Sequence, residues 1–132
     1  MADDFLSLFG DNAETVDLDA GQVLFQQGEP AMSFYVVKSG ELQILNGNHV
    51  FETVGKGGIV GEMALVDGGP RSAMVRAVTS SRVIPLDEKR FLFMVQQTPH
   101  FALRVMKVMS GRLRAMNDRT RAMPDTAAKA TA

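Results

Sequence analysis

The chain has 132 residues, 45% of them hydrophobic and 22% charged, with a formal net charge of −1. That length suits one domain with a real core and not two, and the balance is that of an ordinary globular protein. The small net charge does not point to nucleic acid or an anionic membrane, and the absence of cysteine excludes disulfides and thiolate metal sites and fits a reducing cytosol.

The opening MADDFLSLFG is acidic where a secretory signal would be basic, and it leaves room for about two helical turns. No stretch approaches the roughly 20 apolar residues of a membrane span, so a cytoplasmic location is expected. Short strands are predicted from Glu14 to Leu86: ETVDL, QVLFQ (22–26), SFYVVK (33–38), ELQIL (41–45), HVFETV (49–54), AMVRAV (73–78) and RVIPL (82–86). Gly21, Gly28-Glu29-Pro30, Ser39-Gly40 and the Gly55–Gly58 run fall where the chain must turn. Asn46-Gly47 is predicted as the centre of a two-residue hairpin, with positive φ at both positions. After Pro85 the apolar period becomes helical. Asp87 is a plausible N-cap for a helix over about 87–97, and Thr98-Pro99 starts a second over about 99–123. On that helix Met106, Met109, Leu113, Met116, Thr120 and Met123 follow the spacing of a coiled-coil seam. Residues 125–132 are small and polar and read as a tail. Charge is segregated: residues 1–30 carry acids and no Lys or Arg, whereas the last third is mostly basic, a pattern that first means a solvated helix face.

The chemistry concentrates in GEMALVDGGPRSA, residues 61–73. Gly-Glu-Met-Ala-Leu reads as one turn of helix with unpaired N-terminal N–H groups, and Gly61 lets a ligand come close to the backbone. Arg71 can chelate a phosphate through parallel hydrogen bonds. Glu62 suits a hydroxyl and would repel the phosphate itself. A ribose phosphate is the simplest ligand with both groups. His49 and His100 lack metal-ligand spacing, and Asp67 before Gly68-Gly69 reads as a turn residue.

GKGGIVGEMALVDGGPRSAMVRA (55–77) resembles the phosphate-binding cassette of cyclic nucleotide-binding domains, and GQVLFQQGEPAMSFYVVKSGELQI (21–44) resembles the glycine-marked strands of the same family. The resemblance spans roughly residues 14–122. It implies a mainly β fold with C-terminal α: an antiparallel, jelly-roll-like β-roll over about 14–86 that holds the cassette, then two helices, as one domain over 1–124. It also implies roles. Glu62 would accept from the ribose 2′-OH, Arg71 and Ser72 would hold the cyclic phosphate, and N–H groups around Gly61, Ala64 and Ser72 would complete the cradle. Val60, Leu65 and Ala73 would wall the pocket, with Met63 in the same turn. Arg112, Met116 and Asn117 of the last helix would meet the base.

The function so implied is a non-catalytic regulatory module that senses cAMP in preference to cGMP, needs no cofactor or metal, and signals through its C-terminal helix. A homodimer through that helix and an effector protein or domain are expected as partners; no DNA-reading helix-turn-helix is expected in this chain. The competing readings are a cupin-like metal-dependent β-roll enzyme, which would need clustered His and Glu ligands, and a ligand-free interaction domain.

Overall fold

The computed structural model describes residues 5–10 and 13–122, with side chains as far as Asp118. Eight strands occur in chain order: β1 Val16–Leu18, β2 Val23–Phe25, β3 Ser33–Ser39, β4 Leu42–Asn46, β5 His49–Val54, β6 Ile59–Val60, β7 Met74–Ala77 and β8 Ser81–Asp87. Three helices complete the chain: α1 Glu62–Asp67 between β6 and β7, then α2 Glu88–Gln97 and α3 His100–Ala122. The strands form two antiparallel four-stranded sheets, ordered β1-β8-β3-β6 and β2-β7-β4-β5. This is the antiparallel β-roll with C-terminal helices.

Side-chain alternation explains the layers. On β3, Val37 faces a core inside the roll with Leu18, Leu42, Val60, Val75 and Val83. Phe34 and Val36 point the other way, into a second core with Ile84, Leu86, Phe101 and Val105. Successive strand side chains take opposite faces, so a sheet covered on both faces reads as a near-continuous apolar run. SFYVVK and RVIPL are such runs. Phe5, ahead of a 3-10 turn at Leu6–Leu8, meets Phe101 edge to face at 5.8 Å and ties the N-terminal segment to α3. Full burial of Phe101 contributes about 2–3 kcal/mol.

Asp87 caps α2, its side chain accepting from the Arg90 N–H at 2.8 Å. The buried face of α3 runs through Phe101, Val105 and Arg112, with Val108, Met109 and Met116 partly covered. The methionine seam therefore divides. Met109 and Met116 turn toward the body, while Met106 and Leu113 join Leu103 on an exposed stripe. Apolar side chains surround this helix on two sides, and periodicity alone does not say which side meets the roll. The Thr120 side chain, Met123 and the tail at 125–132 lie outside the described residues.

Two local expectations are corrected. The β4–β5 hairpin loop is Gly47-Asn48, because Asn46 pairs with His49 as the last residue of β4. Gly47 alone takes positive φ, at 60°, and no non-glycine residue does among the described residues. That is the Gly-first form of a two-residue loop. After the Gly55–Gly58 turns, Ile59-Val60 forms β6 against Tyr35 and Val36. Two residues between glycines are too few to show strand periodicity.

Candidate functional site

Gly61 links β6 to α1 at φ 83°, and it carries the chain past Arg71 with almost no clearance. A Cβ there would lie 2.7 Å from Arg71 Nη1 and 3.2 Å from the Phe25 ring. Glycine is required twice, for its backbone angle and for the space. The Arg71 backbone is fixed by reciprocal bonds with the β2–β3 loop: its N–H donates to Glu29 O at 2.8 Å, and its carbonyl accepts from Gly28 N–H at 2.8 Å.

The Arg71 side chain is 4% exposed. Its Nη1 donates to Gly61 O at 3.1 Å and its Nη2 to Ser33 O at 2.5 Å. Phe25 lies under the guanidinium, with 4.0 Å from Cζ to the ring centroid. Its Nε is buried without a partner, and no carboxylate pairs with it among the described residues. Burial pulls its pKa below the ordinary arginine value, offset in part by Tyr35 and Glu29. Arginine nonetheless stays charged, so this buried cation has no directly paired carboxylate among the described residues.

Glu62, 2% exposed, begins α1 and is held by Arg112 from α3. Arg112 Nη1 donates to Glu62 Oε1 at 2.6 Å. Its Nε and Nη2 fork onto Glu52 of β5 at 2.9 and 3.2 Å, and Nη2 also reaches Ile59 O at 2.7 Å. Burial alone would lower the Arg112 pKa; the Glu62 and Glu52 carboxylates outweigh it and raise the value. Arg112 occupies a position on the buried stripe of α3 where an apolar residue would ordinarily sit, and its charge is fully answered.

Arg71 and the Glu62–Arg112 pair line one cavity of about 40 Å³, together with Gly61, Met63, Ala64, Ser72, Ala73 and Met116. Nine of the twelve residues singled out in the sequence therefore meet around it. Val60 instead belongs to the roll core. Leu65 packs toward the helices, and Asn117 is exposed. Arg112 sits on the two carboxylates, not at an apolar, base-sized face. Phe25, Ile44, Asn46 and Phe51 also line the cavity and Glu52 supports it, none of them marked by a local motif. Their contribution follows from strand register, and only the inward phase of β4 hints at it.

Elsewhere, Asp67 accepts from Gly69 N–H at 2.7 Å, the bond of a turn residue, and both histidines are exposed. Among the described residues no group of three or more His, Cys, Asp or Glu could hold a metal ion. No described helix is long and apolar enough to cross a membrane.

Comparison with known proteins agrees with this geometry. An uncharacterized NTE family protein of Mycobacterium bovis is 32% identical over 113 residues, covering 85% of this chain and 19% of that protein. Lysophospholipase NTE1 of Chaetomium globosum is 26% identical over 110 residues, covering 80% of this chain and 7% of that protein. The chain thus spans less than a fifth of the length of these relatives. The Thermus thermophilus catabolite activator protein superposes with a TM-score of 0.73 at 25% identity, over 86% of this chain and 54% of that one. The model of the cyclic nucleotide-binding domain matches residues 15–98. With the β-roll and cassette in place, the chain belongs to the cyclic nucleotide-binding domain family.

Proposed function

We propose that this domain is a regulatory sensor of a 3′,5′-cyclic nucleotide, cAMP in preference to cGMP, and that binding is transmitted through α3. The observation that carries the reading is Arg71, a buried cation facing the cavity with no salt-bridged carboxylate among the described residues. Two of its five N–H groups are committed to carbonyls, leaving three, Nε among them, for a phosphate beside Ser72. The Phe25 ring fixes the guanidinium plane from below. In the same cavity, Glu62 offers acceptor sites to a ribose 2′-OH while keeping its bond to Arg112. The arrangement suits binding and orienting a ligand, which supports a regulatory role.

Transmission rests on the lid. Arg112 and Met116 of α3 close a cavity of about 40 Å³, far below the roughly 300–1,000 Å³ of small-molecule sites. So small a cavity supports a shift between two populations, with nucleotide favouring an arrangement in which the end of α3 and the cassette stand further apart. The exposed stripe of Leu103, Met106 and Leu113 offers that motion a reader: a second copy of α3 in a two-fold pair, or an effector unit in the same or another chain. A reducing, cytoplasmic setting suits a cysteine-free sensor of this kind.

Calorimetric titration with cAMP and cGMP side by side, on wild type and Arg71→Ala, tests the proposal. Loss of the charged partner of a desolvated phosphate should weaken binding by about 2–5 kcal/mol, roughly 30- to several-thousand-fold. Equal affinity in both proteins removes Arg71 from the site; absence of binding to wild type removes the function.

A further inference from the structure

We infer that Asn46 reads the base, and that it does so by pairing with the N6/N7 edge of adenine. This deepens the cyclic nucleotide reading and rests on it. β4 presents Leu42, Ile44 and Asn46 to one face, since side chains two apart share a face. Leu42 and Ile44 are in the roll core, so position 46 continues a core-facing series with a polar side chain. Asn46 lines the same cavity as Ile44, Phe51 and Ala73.

The ordinary reason for asparagine before glycine does not apply. Asn46 has no positive φ and is not in the loop; it is a paired strand residue opposite His49. Its side-chain amide makes no hydrogen bond to the described residues. A strand needs neither feature, and an apolar residue would continue the face at less cost. A side-chain amide lining a cavity walled by both apolar and polar groups suits a heteroaromatic ring with polar edges.

β4 pairs antiparallel with β7, Leu45 opposite Met74, which brings Asn46 alongside Ala73, the residue after Arg71-Ser72. Asn46 therefore lies on the Arg71-Ser72 side of the cavity, and a nucleotide whose phosphate sits on Arg71 would bring the five-membered ring of its purine toward it. On that side adenine presents the N6 donor next to the N7 acceptor, and a carboxamide pairs with both. Guanine presents two acceptors there, O6 and N7, and the carbonyl of the amide has nothing to accept.

The test is titration of wild type, Asn46→Ala and Asn46→Asp with cAMP, cGMP and 7-deaza-cAMP, which has CH in place of N7. Thermal melts confirm that each variant is folded. In wild type, cAMP should bind more tightly than cGMP and than the deaza analogue. Asn46→Ala should weaken cAMP about 5- to 150-fold and cGMP little. Asn46→Asp keeps the side-chain size but loses the donor, so it should bind cAMP and the deaza analogue alike. Equal losses for cAMP and cGMP in Asn46→Ala, or a deaza preference unchanged in Asn46→Asp, would overturn the inference. Wild type that binds neither nucleotide overturns the sensor reading along with it, an outcome distinct from binding without base preference.

Discussion

Replacing Arg112 by Met is the most informative single perturbation of the domain. Methionine fills much of the same space on the buried stripe of α3 but brings no charge. Glu62, 2% exposed, would then be a buried carboxylate with its cation removed, and Ile59 O would lose a donor. Breaking a buried pair from one side costs about 3–5 kcal/mol, because the remaining charge is uncompensated. The Glu52 half contributes little beside this, about 0–1 kcal/mol, since Glu52 is 37% exposed and solvent screens it. Urea unfolding should show a midpoint lower by about 2 M for a slope near 2 kcal/mol/M. The melting temperature should fall by about 10–20 °C at this chain size. The companion variant Glu62→Gln/Arg112→Met removes both charges, and neutral groups of similar volume often replace a buried ion pair at no cost. The double variant should therefore be more stable than Arg112→Met alone, with coupling of about 2–3 kcal/mol. Arg112→Met within about 0.5 kcal/mol of wild type, or single losses that simply add, would refute the reasoning: Glu62 would then find solvent or another donor.

Glu62 is tested from the ligand side by a 2′-deoxy cyclic nucleotide, which should bind wild type markedly worse but lose little further on Glu62→Gln; equal wild-type affinity for both ligands ends the ribose assignment. Gly61→Ala should destabilise by about 1–3 kcal/mol and displace Arg71, because the added methyl meets Nη1 at 2.7 Å at φ 83°; a wild-type melt with intact binding would contradict it. The reading of α3 as an interface between copies predicts that Leu103→Glu/Leu113→Glu, both at exposed positions, leaves the melt within about 0.5 kcal/mol of wild type yet lowers the sedimenting mass. A wild type that is monomeric at every concentration removes α3 as an interface between copies.

What could be read without coordinates was whatever the chain states locally. Strand runs punctuated by glycine, the change of period after Pro85 and the Asp87 cap each involve residues within a few positions of one another. They sufficed for the fold class. Gly61, Glu62 and Arg71 were visible for the same reason, lying within eleven consecutive positions and carrying residue types that suit a sugar and a phosphate, while Ser72 entered through the family resemblance. Tertiary structure decided everything that depends on a side chain meeting a distant one. Glu52 and Glu62 reach Arg112 across 60 and 50 residues, and no pattern in RLRAM shows that an arginine would be the buried one. Which stripe of α3 faces the roll was undecidable from periodicity, because methionine and leucine line two sides of the helix and only the complementary surface selects one. Asn46 shows the limit most clearly. As part of Asn-Gly it looked like a turn residue, and a one-residue shift of the loop made it a strand side chain pointing into the cavity. Side-chain direction alternates with every residue, so register, which only the paired sheet fixes, turns a loop asparagine into a candidate ligand contact.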